Sequence, residues 1–485
     1  MMKNLMIIAL LFCFNGSLFA KIDRVNNAAE IKKITPTLQP GDTVTLQAGE
    51  WKDQEIVFTA EGTADRPIVL KAESNGDVVL NGSSKLRLSG SYIHVEGLYF
   101  VGGAIEKGAV VEFRTSSERS ASNCRMTECA VIDYNPEDTE LDYKWVSVYG
   151  TKNRIDHNYF KGKTHQGTML VVWLNGEPAE HRIDHNYFGP RPDRKKNGAE
   201  TIRIGTSEWW RTNARTIVED NYFYGCDGEV EIISNKSCEN IYRRNTFVEC
   251  AGTLTLRHGD RASVYGNFFF GNGKRRTGGV RIIGEDHKVY NNYFQDLTGD
   301  EAYSALPFMQ GVPNSKDNGY MQVKNAVIVH NTFVNNAHNV VIGVIGSDPS
   351  ASLPPLNCTI ANNLVYAKEG KILEERFPPA GMTYLGNIFS ELRSSVISSS
   401  MDHRTERFEM IKTADGLFRP DSMSIVRGAG RGVFPFVTED MDGQLRTGRK
   451  DVGADQYSTE NIKYHPLHPD DVGPQWRSRI EKGKR

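Results

Sequence analysis

"RIDHNYF" at residues 154–160 returns unchanged as "RIDHNYF" at 182–188, and the theme then runs on through most of the chain. "IVEDNYF" (217–223), "IYRRNTF" (241–247), "SVYGNFF" (263–269), "KVYNNYF" (288–294), "IVHNTF" (328–333), "TIANNLV" (359–365) and "TYLGNIF" (383–389) keep the same frame. Upstream, "IHVEGLYF" (93–100) and "CRMTECAV" (124–131) fit it with Leu98 and Cys129 in the asparagine slot. The shortest steps between the asparagines are 22 to 25 residues, and longer steps read as loops inserted between strands. A period of that size, built of short alternating strands without amphipathic helices, predicts an all-β, single-domain, right-handed parallel β-helix. Coils stack at strand spacing. An asparagine at one inward turn can then bond to its counterparts above and below, forming an Asn ladder, with the aromatic two residues later stacking alongside.

The ends read as caps. "NAAEIKKITPTL" (27–38) predicts a short helix over the first coil, and "DMDGQLRTGRKDVGADQY" (440–457) resembles the closing segment common in β-helix proteins. The expected division is a signal peptide at 1–20, a β-helix with its caps at 21–460, and a charged, loosely held tail at 461–485. The leader "MMKNLMIIALLFCFNGSLFA" has an early lysine, an apolar run and a small-residue end, the pattern of an export signal. That run is too short to span a bilayer, so periplasmic or secreted placement without membrane insertion is expected. The net charge of -2 points to neither nucleic acid nor an anionic membrane as partner. Six cysteines follow Cys13, with no C-x-x-C pair, and read as buried free thiols.

One strand breaks the apolar pattern. In "GEVEIISNKS" (228–237), inward Val230 and Ile232 force Glu229 and Glu231 outward together, with Lys236 just beyond. The next coil, "GTLTLRHGD" (252–260), brings Arg257 and His258; the one after, "GGVRIIGED" (278–286), places Arg281 beside Thr255; the preceding coil, "NGAETIRIG" (197–205), brings Asn197, Glu200 and an outward Arg203. A pair between Arg203 and Glu231 is expected. Two carboxylates and an amide oxygen suit a hard cation such as Ca2+. With a lysine and an arginine alongside, the set suits β-elimination on a uronic acid: the sugar carboxylate is neutralised, an amine takes the C5 proton, and a second group protonates the departing O4.

The succession N-G-x-E-T-I-R-I-G, E-V-E-I-I-S-N-K-S-x-E-N and L-R-H-G-D resembles polysaccharide lyase family 6, which holds the alginate lyases and chondroitinase B. The resemblance covers nearly the whole chain after the leader. It implies Lys236 as base, Arg257 as acid, and Asn197, Glu229 and Glu231 as calcium ligands. Arg281, with His258 as a further substrate contact, makes the set more like the alginate-active members, since an arginine fork suits a polymer with a carboxylate on every sugar. The expected partner is therefore an acidic polysaccharide, alginate ahead of dermatan sulfate, acted on by a monomer or weak oligomer.

Outward acids on a solenoid are usually a solvated face; it is the ordered company of Lys236, Arg257 and Asn197 that makes Glu229 and Glu231 a candidate site. A β-helix glycoside hydrolase needs acids spaced across the scissile bond and no lysine base, which adjacent glutamates do not supply. A non-catalytic carbohydrate-binding solenoid would not require the lysine–arginine–acid set. His157 and His185 read as exposed turn residues.

Overall fold

The computed structural model describes residues 20–346, 348–367, 369–390 and 403–482. The apolar leader at 1–19 lies outside them. Among the described residues three sheets of 14 strands each wrap a single core, and nearly every strand pairs in parallel with its counterpart one coil away. This is the expected right-handed parallel β-helix.

Each coil turns from its first-sheet strand into its third-sheet strand through two residues. The second is the ladder asparagine, and the residue before it adopts a positive φ, as at His157 (51°), His185 (53°), Asp220 (53°) and Arg244 (55°). Gly266 and Gly386 take that slot where the chain has no polar residue to offer, and both sit in the left-handed region that glycine enters without strain. The asparagine side chain then turns inward: Asn245 donates to the Val218 carbonyl at 2.9 Å and to Asn267 Oδ1 at 3.0 Å, and accepts from the Asn221 backbone at 3.1 Å. Every inward amide is thereby satisfied, which burial demands. Upstream the slot passes to sulfur, with Leu98 N–H donating to Cys129 Sγ and Cys129 N–H to Asn158 Oδ1. Two residues on, Phe160, Phe188, Phe223, Phe247, Phe269, Phe294 and Phe333 form one continuous stack, with centroids 4.5 Å apart at the closest pair.

The N-terminal cap is shorter than expected: an α-helix at Ala28–Ile34, capped by Asn27 accepting from Glu30 N–H, then a 3-10 turn at Thr35–Thr37 where Pro36 ends the α-helical pattern. Ile31 plugs the first coil with no exposed surface. The six cysteines after Cys13 are all free and buried. The tail is not loose. It runs back along the coils: Leu467 N–H bonds Thr246, Gly473 N–H bonds the His185 carbonyl, Trp476 donates to the Glu128 carbonyl and packs edge-on to Tyr99, and Arg479 pairs with Asp77. One buried tryptophan outweighs the surrounding charge. His157 and His185 are half-buried rather than exposed, stacked 4.9 Å apart and bonded to Asp156 and Asp184.

Candidate active site

On the second sheet, Ile202, Ile204, Ile233, Leu254, Leu256, Val280 and Ile282 all point inward and are fully buried. Alternation then puts Arg203, Ser234, Thr255 and Arg281 in one outward row across four coils. The register is shifted between Glu231 and Ile233, where one extra residue is inserted. Ile232 and Ile233 both enter the core, and Val230 stays half-buried. The inward pair is thus not Val230 and Ile232; a bulge, which re-aims the side chains beside it, releases Glu229 and Glu231 toward the outer face. A second shift sets Lys236 opposite His258 rather than Arg257.

Outward does not mean exposed here. Glu231 is 6% and Glu200 1% exposed, and carboxylate oxygens of Glu200, Glu229 and Glu231 lie within 4.8 Å of one another. Glu231 is compensated: Arg281 donates to it at 2.8 Å, Arg257 stands 3.7 Å away, and Ser234 bonds it as well. Burial alone would raise its carboxyl, but Arg281, Lys236 and Arg257 outweigh that and hold it below the ordinary range. Lys236 and the Gly198 N–H offset Glu229 only in part. Burial, then the charges of Glu200 and Glu231, push its carboxyl up to about 9. Glu229 Oε1 and Glu200 Oε2 are both buried without a hydrogen-bond partner.

Glu200 is the residue that sequence reasoning placed near the site and gave no role. Its Oε1 lies 3.9 Å from Lys236 Nζ and 4.0 Å from Arg203, so Arg203 faces Glu200, at the outer limit of an ion pair, and not Glu231. The loop carrying it is fixed from below by Arg191, wholly buried, which donates to the carbonyls of Glu200, Gly167 and His165. Gly228 closes the same junction: a β-carbon there would sit 2.1 Å from the Ala199 carbonyl oxygen and 2.7 Å from Arg191 Nε. Only glycine lets the Glu200 and Glu229 loops pack so closely.

Asn197, Glu229, Glu231, Arg257 and Arg281 surround one open cavity of about 660 Å³, whose rim adds Lys195, Lys196, Arg276, Tyr303 and Tyr320. Asn197 sits on its exposed edge. Arg257 is held over the Tyr320 ring at 4.4 Å and donates to the carbonyls of Asn318 and Gly319. The loop at 299–320 thus supplies two aromatic walls, Tyr303 and Tyr320, which no local motif announced. Lys236 stands beside the cavity against Glu200. His258 lies beneath: it is 1% exposed, bonds the Gly319 carbonyl at 2.9 Å, and is pushed down to about 4 by burial and by Arg257. The covered ring packs beneath Arg257 and the Gly319 turn.

The donor set fits a hard cation. Three crowded carboxylates carry two orphaned oxygens, and an amide side chain stands at the rim, while calcium accepts six to eight oxygen ligands in loose geometry.

Residues 25–421 match the chondroitinase B family. Among solved structures, the polysaccharide lyase family 6 alginate lyase AlyGC is 37% identical, with a TM-score of 0.81 over 93% of this chain and 60% of that one. A mannuronic acid specific family 6 lyase from the human gut microbiota is 33% identical, with a TM-score of 0.70 over 80% of this chain and 91% of its own. The family 6 polysaccharide lyase Pedsa3628 from Pseudopedobacter saltans is 26% identical, with a TM-score of 0.67 over 94% and 99% of the two chains. The chain spans 60% of the length of AlyGC. No curated protein matches in sequence.

Proposed function

The chain belongs to the chondroitinase B family, polysaccharide lyase family 6, and from that premise we propose that it is an exported lyase cleaving alginate by β-elimination. The observation that carries this reading is the crowd of three carboxylates, Glu200 and Glu231 buried and Glu229 half-buried, with an unpartnered oxygen on Glu200 and on Glu229, set directly beside Lys236, Arg257 and Arg281. Glu200, Glu229 and Glu231, with Asn197 at the rim, would hold a calcium ion. Bound there, calcium supplies a Lewis acid that neutralises a uronate carboxylate and makes the C5 proton more acidic. Lys236 accepts that proton. Arg257, fixed over Tyr320, faces the leaving O4 and delivers a proton to it. Arg281 holds the carboxylate edge of the sugar ring, and Tyr303 and Tyr320 flank it. Lys195, Lys196 and Arg276 on the rim suit a polymer that carries a carboxylate on every residue.

The test is absorbance of the new C4–C5 double bond on alginate, dermatan sulfate and pectate, with and without chelator. Rising absorbance on alginate, abolished by chelator, is expected. Cleavage of dermatan sulfate instead would move the substrate while keeping the chemistry, and silence on all three polymers would overturn the reading.

A further inference from the structure

One guanidinium next to the site has no work in the chemistry above. Arg203 stands one coil before Lys236: its strand, Ile202–Gly205, pairs with Glu231–Lys236 so that Arg203 lies opposite Ser234 and Gly205 opposite Lys236. Neighbouring strands are about 4.8 Å apart, so Arg203 lies within reach of the sugar next to the one that Lys236 attacks. Its side chain is 17% exposed, and its nearest anion, Glu200 Oε1, is 4.0 Å away, beyond hydrogen-bonding distance. Its Nε is buried without a partner. Arg257 and Arg281 by contrast each have a terminal guanidinium nitrogen hydrogen-bonded, although Arg281 Nε is likewise buried without a partner. A guanidinium offers five donors, and leaving them unused beside a buried surface is costly.

The position is nonetheless built. Arg203 lies over the indole of Trp173 at 5.3 Å. Trp173 is fixed by its Nε1–H to Ser147 at 3.1 Å and by a parallel stack on Tyr149, with centroids 5.9 Å apart, and Arg114 closes the far face of Tyr149 at 3.8 Å. Tyr149, Trp173, Gly205 and Lys236 follow one another across the coils in a single row. Gly205, at a φ of 88°, packs so close to Lys236 that a β-carbon there would sit 2.5 Å from the Lys236 carbonyl oxygen and 3.0 Å from Leu174.

We propose that Arg203, held on the Trp173–Tyr149 stack, is a carboxylate-binding residue of a further sugar subsite, one coil to the N-terminal side of Lys236. The inference rests on the lyase reading and adds to it a place for the neighbouring uronate, whose carboxylate meets the free fork of Arg203 in a charge-assisted pair.

The test is calorimetric binding of a mannuronate hexasaccharide to the non-cleaving Lys236→Ala protein, alone and carrying Arg203→Gln, with the thermal midpoint measured on each. Arg203→Gln is expected to weaken binding about tenfold or more, and Arg203→Lys, which keeps the charge and loses the fork, to restore part of it. In the active enzyme the same change raises KM with kcat held within about twofold. A residue that merely roofs the sheet would lower the thermal midpoint and leave the affinity of the folded protein unmoved. If Arg203→Gln fails to fold, Arg203→Lys carries the comparison. Equal affinity with and without Arg203 overturns the inference alone; no binding by the Lys236→Ala parent overturns the lyase reading and the inference together.

Discussion

Two faces of the same solenoid each carry three carboxylates turned away from bulk water in whole or in part, and they treat them in opposite ways. On the outer side of the first sheet, Asp156, Asp184 and Glu219 are almost wholly covered. Arg125 forks onto Asp156, Arg154 onto Asp184, and Arg182, Arg243 and Arg244 close on Glu219. Burial pushes the Asp156 and Asp184 carboxyls up, but these bonds and charges more than reverse it, leaving both below the usual range. On the second sheet, Glu200, Glu229 and Glu231 are as crowded, yet two oxygens have no donor and Glu229 is driven up to about 9. A buried acid that brings its own guanidinium is scaffolding; one left short of a partner is arranged for a ligand. The C-terminal acids fall between the two: Arg419 is bonded to Asp442 and Asp455, and Arg427 to Asp451 and Asp455, yet burial still pushes the Asp442 carboxyl up to about 7.

The contrast can be broken by swapping the damage. Lys236→Ala should lower turnover of the uronate polymer about a thousandfold, the scale of a lost general base, with the unfolding midpoint unchanged; retained activity would remove Lys236 as base. Asp184→Asn should do the reverse, costing about 2–3 kcal/mol in denaturant unfolding by removing the two charge-assisted bonds from Arg154, with kcat intact in the folded protein. A fall in kcat there would show that the two faces are coupled. The acid ladder also sets an acid limit. Carboxyls held below their unfolded value give stability that is fully present above that value, about 4, and lost as pH falls through the folded one. Thermal midpoints should therefore drop steeply below about pH 4, and less steeply in Asp184→Asn. Smallest is the ladder itself: Asn245→Ala should cost about 1–3 kcal/mol by orphaning the Asn221 amide, without changing KM.

Repetition made the fold legible. One asparagine per coil, with an aromatic two places on, records a constraint renewed at every turn, so the chain states it many times. The site is stated once, and its legibility was uneven. Glu229, Glu231, Arg257 and Arg281 are brought together where the coil arithmetic put them, because strand pairing carries position from one coil to the next. Glu200 escaped because the extra residue at Ile232 re-aims the acids, and a bulge leaves no mark in an alternating pattern. Tyr303 and Tyr320 escaped because they come from a long insertion whose path no periodicity constrains. Trp476 shows the limit of composition: a charged, Pro-containing tail is tied down by one indole that finds Tyr99 and Glu128 hundreds of residues upstream.

The central claim is that the three crowded glutamates, two of them with an unpartnered oxygen, are built to hold a cation beside Lys236. Its most direct test is calorimetric titration of calcium into chelator-treated protein, wild type against Glu229→Gln, in buffers of different ionisation heat. Binding by the wild type is expected with release of a proton, because Glu229 must ionise to act as a ligand, and Glu229→Gln should weaken it at least about tenfold and abolish the proton release. Calcium binding equally tight in Glu229→Gln, or no binding by the wild type, would contradict it.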